Sequence, residues 1–140
     1  MTPLPVSSTF PRSTYLCRVL QADGLVSGVS GLALLLAPDS IGAFLGWPAP
    51  LAIALVGAGL LRYSASLFFF AAREPRQRPG AWLAVVLNVL WVMSTAFVLV
   101  AGWPPGLSLA GKWALLVVAD AVAAFALLQA YGLWRPGRAA

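Results

Sequence analysis

Long apolar stretches separated by short polar connections dominate the pattern of this 140-residue chain. Four of them stand out, at about residues 19–37, 51–72, 81–101 and 110–134. A transmembrane helix needs about 20 mostly apolar residues, because a rise of about 1.5 Å per residue must cross a hydrocarbon core of about 30 Å. The pattern therefore predicts an all-α fold, an integral membrane four-helix bundle.

The composition leads to the same class of protein. Of the residues, 61% are hydrophobic and 9% are charged, whereas soluble domains have roughly 45–50% apolar and about 25% charged residues. A soluble fold of this length leaves much of its surface exposed and could not cover so many apolar side chains. The lipid bilayer is therefore the first partner that the sequence predicts.

The spans divide the chain into a bundle and two tails. We expect a Pro- and Ser-rich cytoplasmic tail at 1–17, the bundle at 18–135 and a short cytoplasmic tail at 136–140. The connection 73–80 is a basic turn, in which Pro75 and Pro79 are expected to end the helices on either side.

Basic residues cluster at one end of the predicted bundle, whereas the loops at 38–50 and 102–109 contain no Lys or Arg. Seven arginines lie toward the two termini and in the turn 73–80: Arg12, Arg18, Arg73, Arg76, Arg78, Arg135 and Arg138. The positive-inside rule predicts that both termini face the cytoplasm of a bacterial cell, with the protein in the inner membrane. The net charge of +5 then reflects topology and contact with anionic lipid headgroups. We expect no nucleic-acid partner.

A short motif follows the first span and recurs after the third, as Gly46-Trp47-Pro48 and Gly102-Trp103-Pro104. One interpretation is that the bundle consists of two repeated helical hairpins, related by an axis along the membrane normal. The other is that Gly-Trp-Pro simply makes a good outer turn, with Trp at the interface and Pro ending the helix.

The residue types leave little material for catalysis. The chain has no His, one cysteine (Cys17) and four acidic residues. His-based triads, His-ligated haem or zinc and CxxC redox motifs are thereby excluded. We expect a protein that is not an enzyme and that needs no cofactor or metal.

Two opposite charges interrupt the spans near mid-membrane. At about 1.5 Å per residue, Arg62 lies roughly 16 Å and Asp120 roughly 15 Å from the outer ends of their spans. Such charges usually face the bundle interior. With Asn88 of the third span, they form a candidate polar centre that binds an anionic or polar ligand or relays protons. Two alternatives are a neutralised pair that only joins helices, and outward charges that pair with another subunit.

Further polar and small residues lie on the first span. Asp23 and Ser27 share one face, and Asp23 has a depth similar to that of Gln129 on the fourth span, which makes these three residues a secondary polar cluster. Gly24 and Gly28, like Ser27 and Gly31, form small-xxx-small pairs that permit close helix contact. The sequence favours packing inside the bundle over dimerisation for these glycines.

Between about residues 20 and 135, the chain resembles the small bacterial four-span membrane proteins of the DoxX-like type. The features that carry the resemblance are the run 28–37 leading to Pro38, Leu45-Gly46-Trp47-Pro48, and Val56-Gly57-Ala58-Gly59-Leu60 before the basic turn. The resemblance implies a compact bundle and an accessory membrane subunit, since some members are linked to membrane redox complexes such as quinol oxidases. It implies no catalytic residue, and it does not predict Arg62.

The predicted function is thus that of a non-catalytic inner-membrane protein. It would be an accessory or assembly subunit of a larger membrane complex, a redox complex among the candidates, or a homo-oligomer. The alternative is a small transporter or ligand-binding membrane protein that uses a buried centre of Arg62 and Asp120.

Overall fold

The computed structural model describes residues 12–135, which form helices joined by short turns, with no strand in that range. The helices are α1 (Arg12–Leu36), α2 (Pro38–Leu45), α3 (Pro50–Ala71), α4 (Glu74–Ala101) and α5 (Leu109–Trp134). All but α2 are long and apolar enough to cross a membrane. The prediction of an all-α, four-span bundle is therefore confirmed, and the chain is a multi-pass membrane protein.

The long helices pack as two pairs. α1 lies along α3, and α4 lies along α5. The bundle closes where α3 meets α4 and α1 meets α5, and α1 also contacts α4 across the centre. Over the described residues, α3 and α5 make no contact with each other. They therefore occupy opposite corners of the bundle.

Small residues let α1 and α3 approach each other closely. A Cβ atom built at Gly31 would lie 2.7 Å from the carbonyl oxygen of Gly57, and one at Gly57 would lie 2.7 Å from that of Gly31. A Cβ at Gly28 would lie 2.8 Å from Ser64 Oγ, and Gly24 also faces α3. The three glycines of α1 thus serve packing within the chain, which is the alternative that the sequence favoured.

One end of the bundle, here called the terminal end, contains the first residues of α1, the last residues of α5 and the turn between α3 and α4. An apolar cluster fills it: Leu16, Leu20, Leu67, Ala71, Ala81, Ala84 and Leu133. Because Leu16 belongs to this cluster, α1 begins at Arg12, and the expected tail at 1–17 is too long on this side. Residues 1–11 and 136–140 of the expected tails lie outside the described residues.

The connection at the terminal end is also shorter than the sequence suggested, because α4 begins at Glu74. Pro75 falls in its first turn, where the missing N–H is not needed. Pro79 lies inside α4 and does not end it, since only about one turn precedes it. Gln77 Nε2 donates to the carbonyl oxygen of Ala71 at 3.0 Å, which fastens the start of α4 to the end of α3.

The opposite end, here called the loop end, contains α2 and the connection from α4 to α5. Gly46 and Gly102 end α2 and α4 with φ values of 73° and 65°, a left-handed conformation that suits glycine. Ser108 caps α5, accepting from Gly111 N at 2.9 Å and donating to the carbonyl oxygen of Phe44 at 2.7 Å. The first Gly-Trp-Pro motif thus follows the short α2, whereas the second follows the spanning helix α4. Their origin by duplication stays a prediction.

Candidate functional site

A buried carboxylate marks the place where all four long helices meet. Asp23 lies on the inner face of α1 and is only 3% exposed. One turn further along α1, Ser27 Oγ donates to Asp23 Oδ1 at 3.2 Å. The spacing of four residues places both side chains on the same helix face.

Each of the other long helices adds a donor to the second carboxylate oxygen. Asp23 Oδ2 accepts from Tyr63 Oη of α3 at 3.0 Å, from Asn88 Nδ2 of α4 at 3.0 Å and from Gln129 Nε2 of α5 at 2.7 Å. Asn88 Nδ2 also lies 3.1 Å from Gln129 Oε1. These residues, with Ser27, are called the Asp23 centre below. It ties four separate segments of the chain to one side chain.

The hydrogen-bond donors that reach Asp23 are all neutral groups. Burying a carboxylate is expensive unless its oxygens are hydrogen-bonded, because no water is present to solvate them. Asn88 is 5% exposed and Gln129 is fully buried, so their amides have no solvent to compete for them. The arrangement therefore satisfies the acid and the amides together.

Apolar side chains border the Asp23 centre on the side of the terminal end. The apolar cluster of the terminal end adjoins it through Leu20, which precedes Asp23 by three residues, and Leu67. A cavity of about 60 Å³ lies at the loop end beside Val98 and Lys112, and no residue of the centre lines it. Among residues 12–135, no group of three or more His, Cys, Asp or Glu side chains could hold a metal ion.

The expected grouping of Arg62, Asp120 and Asn88 is wrong. Asn88 belongs to the Asp23 centre, whereas Arg62 and Asp120 are both exposed on the outside of the bundle. Their helices, α3 and α5, share no contact over the described residues. The rotation of α5 explains the position of Asp120: it precedes the inward Gln129 by nine residues, which at about 3.6 residues per turn is two and a half turns. Asp120 therefore points away from the interior.

Each outward charge lies in the middle of an apolar helix face. On α3, Leu51, Leu55 and Phe69 are 74%, 64% and 48% exposed and share a face with Arg62. We call these four residues the Arg62 face.

The corresponding strip on α5 surrounds the acidic residue. Trp113, Val117 and Leu127 are 63%, 65% and 72% exposed and share a face with Asp120. These four residues form the Asp120 face. The two faces have the same construction, with opposite charges at their centres.

The Asp23 centre contains three residues that the sequence grouped and two, Tyr63 and Asn88, that it did not. Asp23, Ser27 and Gln129 come together, as their depths suggest, but Tyr63 was not assigned to them. The sequence does offer a signal for Tyr63, which is its position next to Ser64. In the structure, Ser64 Oγ donates to the carbonyl oxygen of Gly24 at 2.6 Å. Small and polar residues at 57 and 64 mark the face of α3 that packs on α1, and Tyr63 borders that face.

No family model, curated protein or solved structure matches this chain. The class of protein is therefore defined by its own architecture: a four-span helical membrane protein with an internally satisfied polar centre and two charged, exposed helix faces.

Proposed function

We propose that this protein is a non-catalytic subunit of the bacterial inner membrane that associates with other membrane chains through its exposed helix faces. The exposure of Arg62 and Asp120 near the middle of their spans carries the proposal. A charge at that depth costs about 2.5–3.5 kcal/mol on the insertion scale. A neighbouring chain that neutralises it removes much of that cost.

The construction of the Asp23 centre supports a structural role for the interior. Its polar atoms bond to one another, and they hold the four spans in one arrangement. A buried centre of Arg62 and Asp120, on which a transporter would rely, does not exist in this fold. The interior therefore holds the four spans together, and partner chains bind to the exposed helix faces.

Within residues 12–135, the connections between the spans are short. The terminal end is basic, with the guanidinium carbons of Arg73 and Arg76 each 5.1 Å from the ring centroid of Phe69. Such a rim suits anionic headgroups on the cytoplasmic side. The resemblance to DoxX-like proteins favours the same class of function, an accessory or assembly subunit of a membrane complex or a homo-oligomer.

Purification from native membranes in a mild detergent tests the proposal. The tagged wild-type chain is expected to elute with a stoichiometric membrane partner, which is either another protein or further copies of itself. Arg62→Ala and Asp120→Ala should each lose that partner, because the uncompensated charge remains on one side. The matched control is Asp39→Ala, which removes an exposed charge of α2 at the loop end, outside both faces. A wild-type chain that is monomeric in detergent and in lipid nanodiscs would contradict the proposal.

A further inference from the structure

The Arg62 and Asp120 faces match each other in depth and direction. α3 and α5 both run from the loop end to the terminal end, so the two faces are parallel within one molecule. Arg62 follows Pro50, the first residue of α3, by twelve residues, and Asp120 follows Leu109, the first residue of α5, by eleven. At about 1.5 Å per residue, the two charges lie about 18 Å and about 16 Å from those helix starts.

We propose that the partner is a second copy of this chain, with the Arg62 face of one copy packed in parallel on the Asp120 face of the next. This inference rests on the proposed function and names the partner. Copies that insert with the same topology present both faces at one depth, so that a single kind of contact neutralises both charges. Complementary charge at equal depth is the observation that selects this occupant.

An anionic lipid is a poorer occupant for the same faces. Its phosphate lies at the membrane surface, and a long arginine side chain can extend toward it. Asp120 has a short side chain and the same charge as the phosphate, so it would stay unpaired. A second copy of the chain satisfies both residues.

The position of the faces makes the contact head-to-tail. α3 and α5 occupy opposite corners of the bundle, so a copy offers Arg62 to one neighbour and Asp120 to another. A contact between two different surfaces repeats until the rotation closes a ring. The expected assembly has three or more copies.

The surfaces beside the charges permit close approach. A Cβ atom built at Gly59, one turn before Arg62, meets no other atom within 4 Å, and Ala124, one turn after Asp120, is exposed. Ser66 and Ala124 each lie four residues beyond their charge in the same direction. When Arg62 and Asp120 pair, Ser66 of one copy should therefore lie beside Ala124 of the next.

Charge reversal tests the contact in the full-length chain. In nanodiscs, native mass spectrometry should find three or more copies for the wild type. Arg62→Glu and Asp120→Arg should each be monomeric, because they place like charges at the interface. The double variant R62E/D120R should recover the assembly. Asp39→Lys, which reverses an exposed charge on α2 and therefore outside both faces, should leave the copy number unchanged. A wild-type assembly of two copies would overturn the head-to-tail geometry.

Cross-linking tests the register independently. In a Cys17→Ser background, copies carrying Ser66→Cys and copies carrying Ala124→Cys are co-expressed with different tags. Oxidation should join the two tags. Val117→Cys in place of Ala124→Cys should not react with Ser66→Cys, because their depths differ by seven residues, or about 10 Å. Equal cross-linking of both pairs would overturn the proposed register.

The outcomes separate this inference from the proposed function. A different membrane protein bound in stoichiometric amount, lost in both single reversals and not recovered in the double variant, would overturn the second-copy partner and leave the proposed function standing. A monomeric wild type with no bound chain would overturn both.

Discussion

Asp23 connects all four long helices through hydrogen bonds to its carboxylate. Its two oxygens accept hydrogen bonds from Ser27, Tyr63, Asn88 and Gln129, which belong to four different helices. Hydrogen bonds between transmembrane helices average about 0.6 kcal/mol each, but a buried donor left without an acceptor costs about 1–3 kcal/mol. Removing the shared acceptor is therefore worse than removing any one donor.

The substitution Asp23→Leu should lower the free energy of unfolding by about 1–3 kcal/mol, because it leaves the buried Gln129 Nε2 without an acceptor. Tyr63 Oη and Asn88 Nδ2 each lose one of two acceptors, since Asn88 Oδ1 and Gln129 Oε1 remain. The measurement is reversible unfolding in mixed micelles. Asp39→Leu is the matched control, since Asp39 is exposed at the start of α2. Equal stability of the two variants would show that the Asp23 centre holds nothing together.

A smaller change at the same centre separates the contribution of a single donor. Tyr63→Phe removes one hydroxyl and keeps the ring, so the expected loss is about 0.5–1.5 kcal/mol. Asp23 keeps its other three donors in this variant. A loss from Tyr63→Phe as large as that from Asp23→Leu would contradict the shared-acceptor arrangement.

At the scale of the helices, close approach and rotation decide the architecture. α1 and α3 meet through the opposed backbones of Gly31 and Gly57, where a Cβ atom on either side would lie 2.7 Å from a carbonyl oxygen. Backbone atoms cannot move aside as a flexible side chain can. The two helices would have to separate to admit any larger residue.

Gly31→Val should therefore destabilise the α1–α3 pair, by about 1–3 kcal/mol as expected for overpacking in a tight contact. Gly59→Val is the matched control on α3, because a Cβ at Gly59 meets open space. Reversible unfolding in micelles reports the difference. If Gly31→Val proved as stable as Gly59→Val, the close helix crossing would be refuted.

Hydropathy was sufficient to predict the four spans, because the length and apolar character of each helix are local properties. The rotation of each helix about its axis is not local. In a bilayer, lipid-facing and interior side chains can be equally apolar, so the pattern could not tell that Arg62 and Asp120 face outward. The start of α1 at Arg12 was missed for a related reason: it depends on Leu16 packing against residues such as Leu133, far along the chain.

At the scale of the whole molecule, two groups of charged residues can be distinguished, one at the terminal end and one in the middle of the spans. The described arginines outside the spans lie at the terminal end, where Arg78 Nη2 also donates to the carbonyl oxygen of Leu133 at 3.0 Å. The exposed charges inside the spans lie at one depth, on opposite corners. By the positive-inside rule, the first arrangement predicts how the protein is oriented in the membrane. Under the proposed function, the second arrangement provides the sides on which copies associate.

Thiol labelling should verify the orientation. In a Cys17→Ser background, Ser40→Cys at the loop end should react with a membrane-impermeant maleimide in cells whose outer membrane has been permeabilised. Thr14→Cys at the terminal end should react only after the inner membrane is opened. Both positions are exposed, so accessibility across the membrane alone distinguishes them. The reverse pattern would show that the termini face away from the cytoplasm.

The residues of the Asp23 centre are synthesised at widely separated times, because they come from both ends of the bundle sequence. Asp23 and Gln129 are separated by 106 positions in the chain, so the acid enters the membrane with α1 long before its last donor is translated. Until α5 arrives, α1 is a segment with an incompletely solvated carboxylate, which holds it less firmly in lipid. A chain interrupted after α4 would lack the Gln129 donor and would keep that defect. The hydrogen bond from Gln129 to Asp23 therefore forms only in a chain that has inserted all four spans.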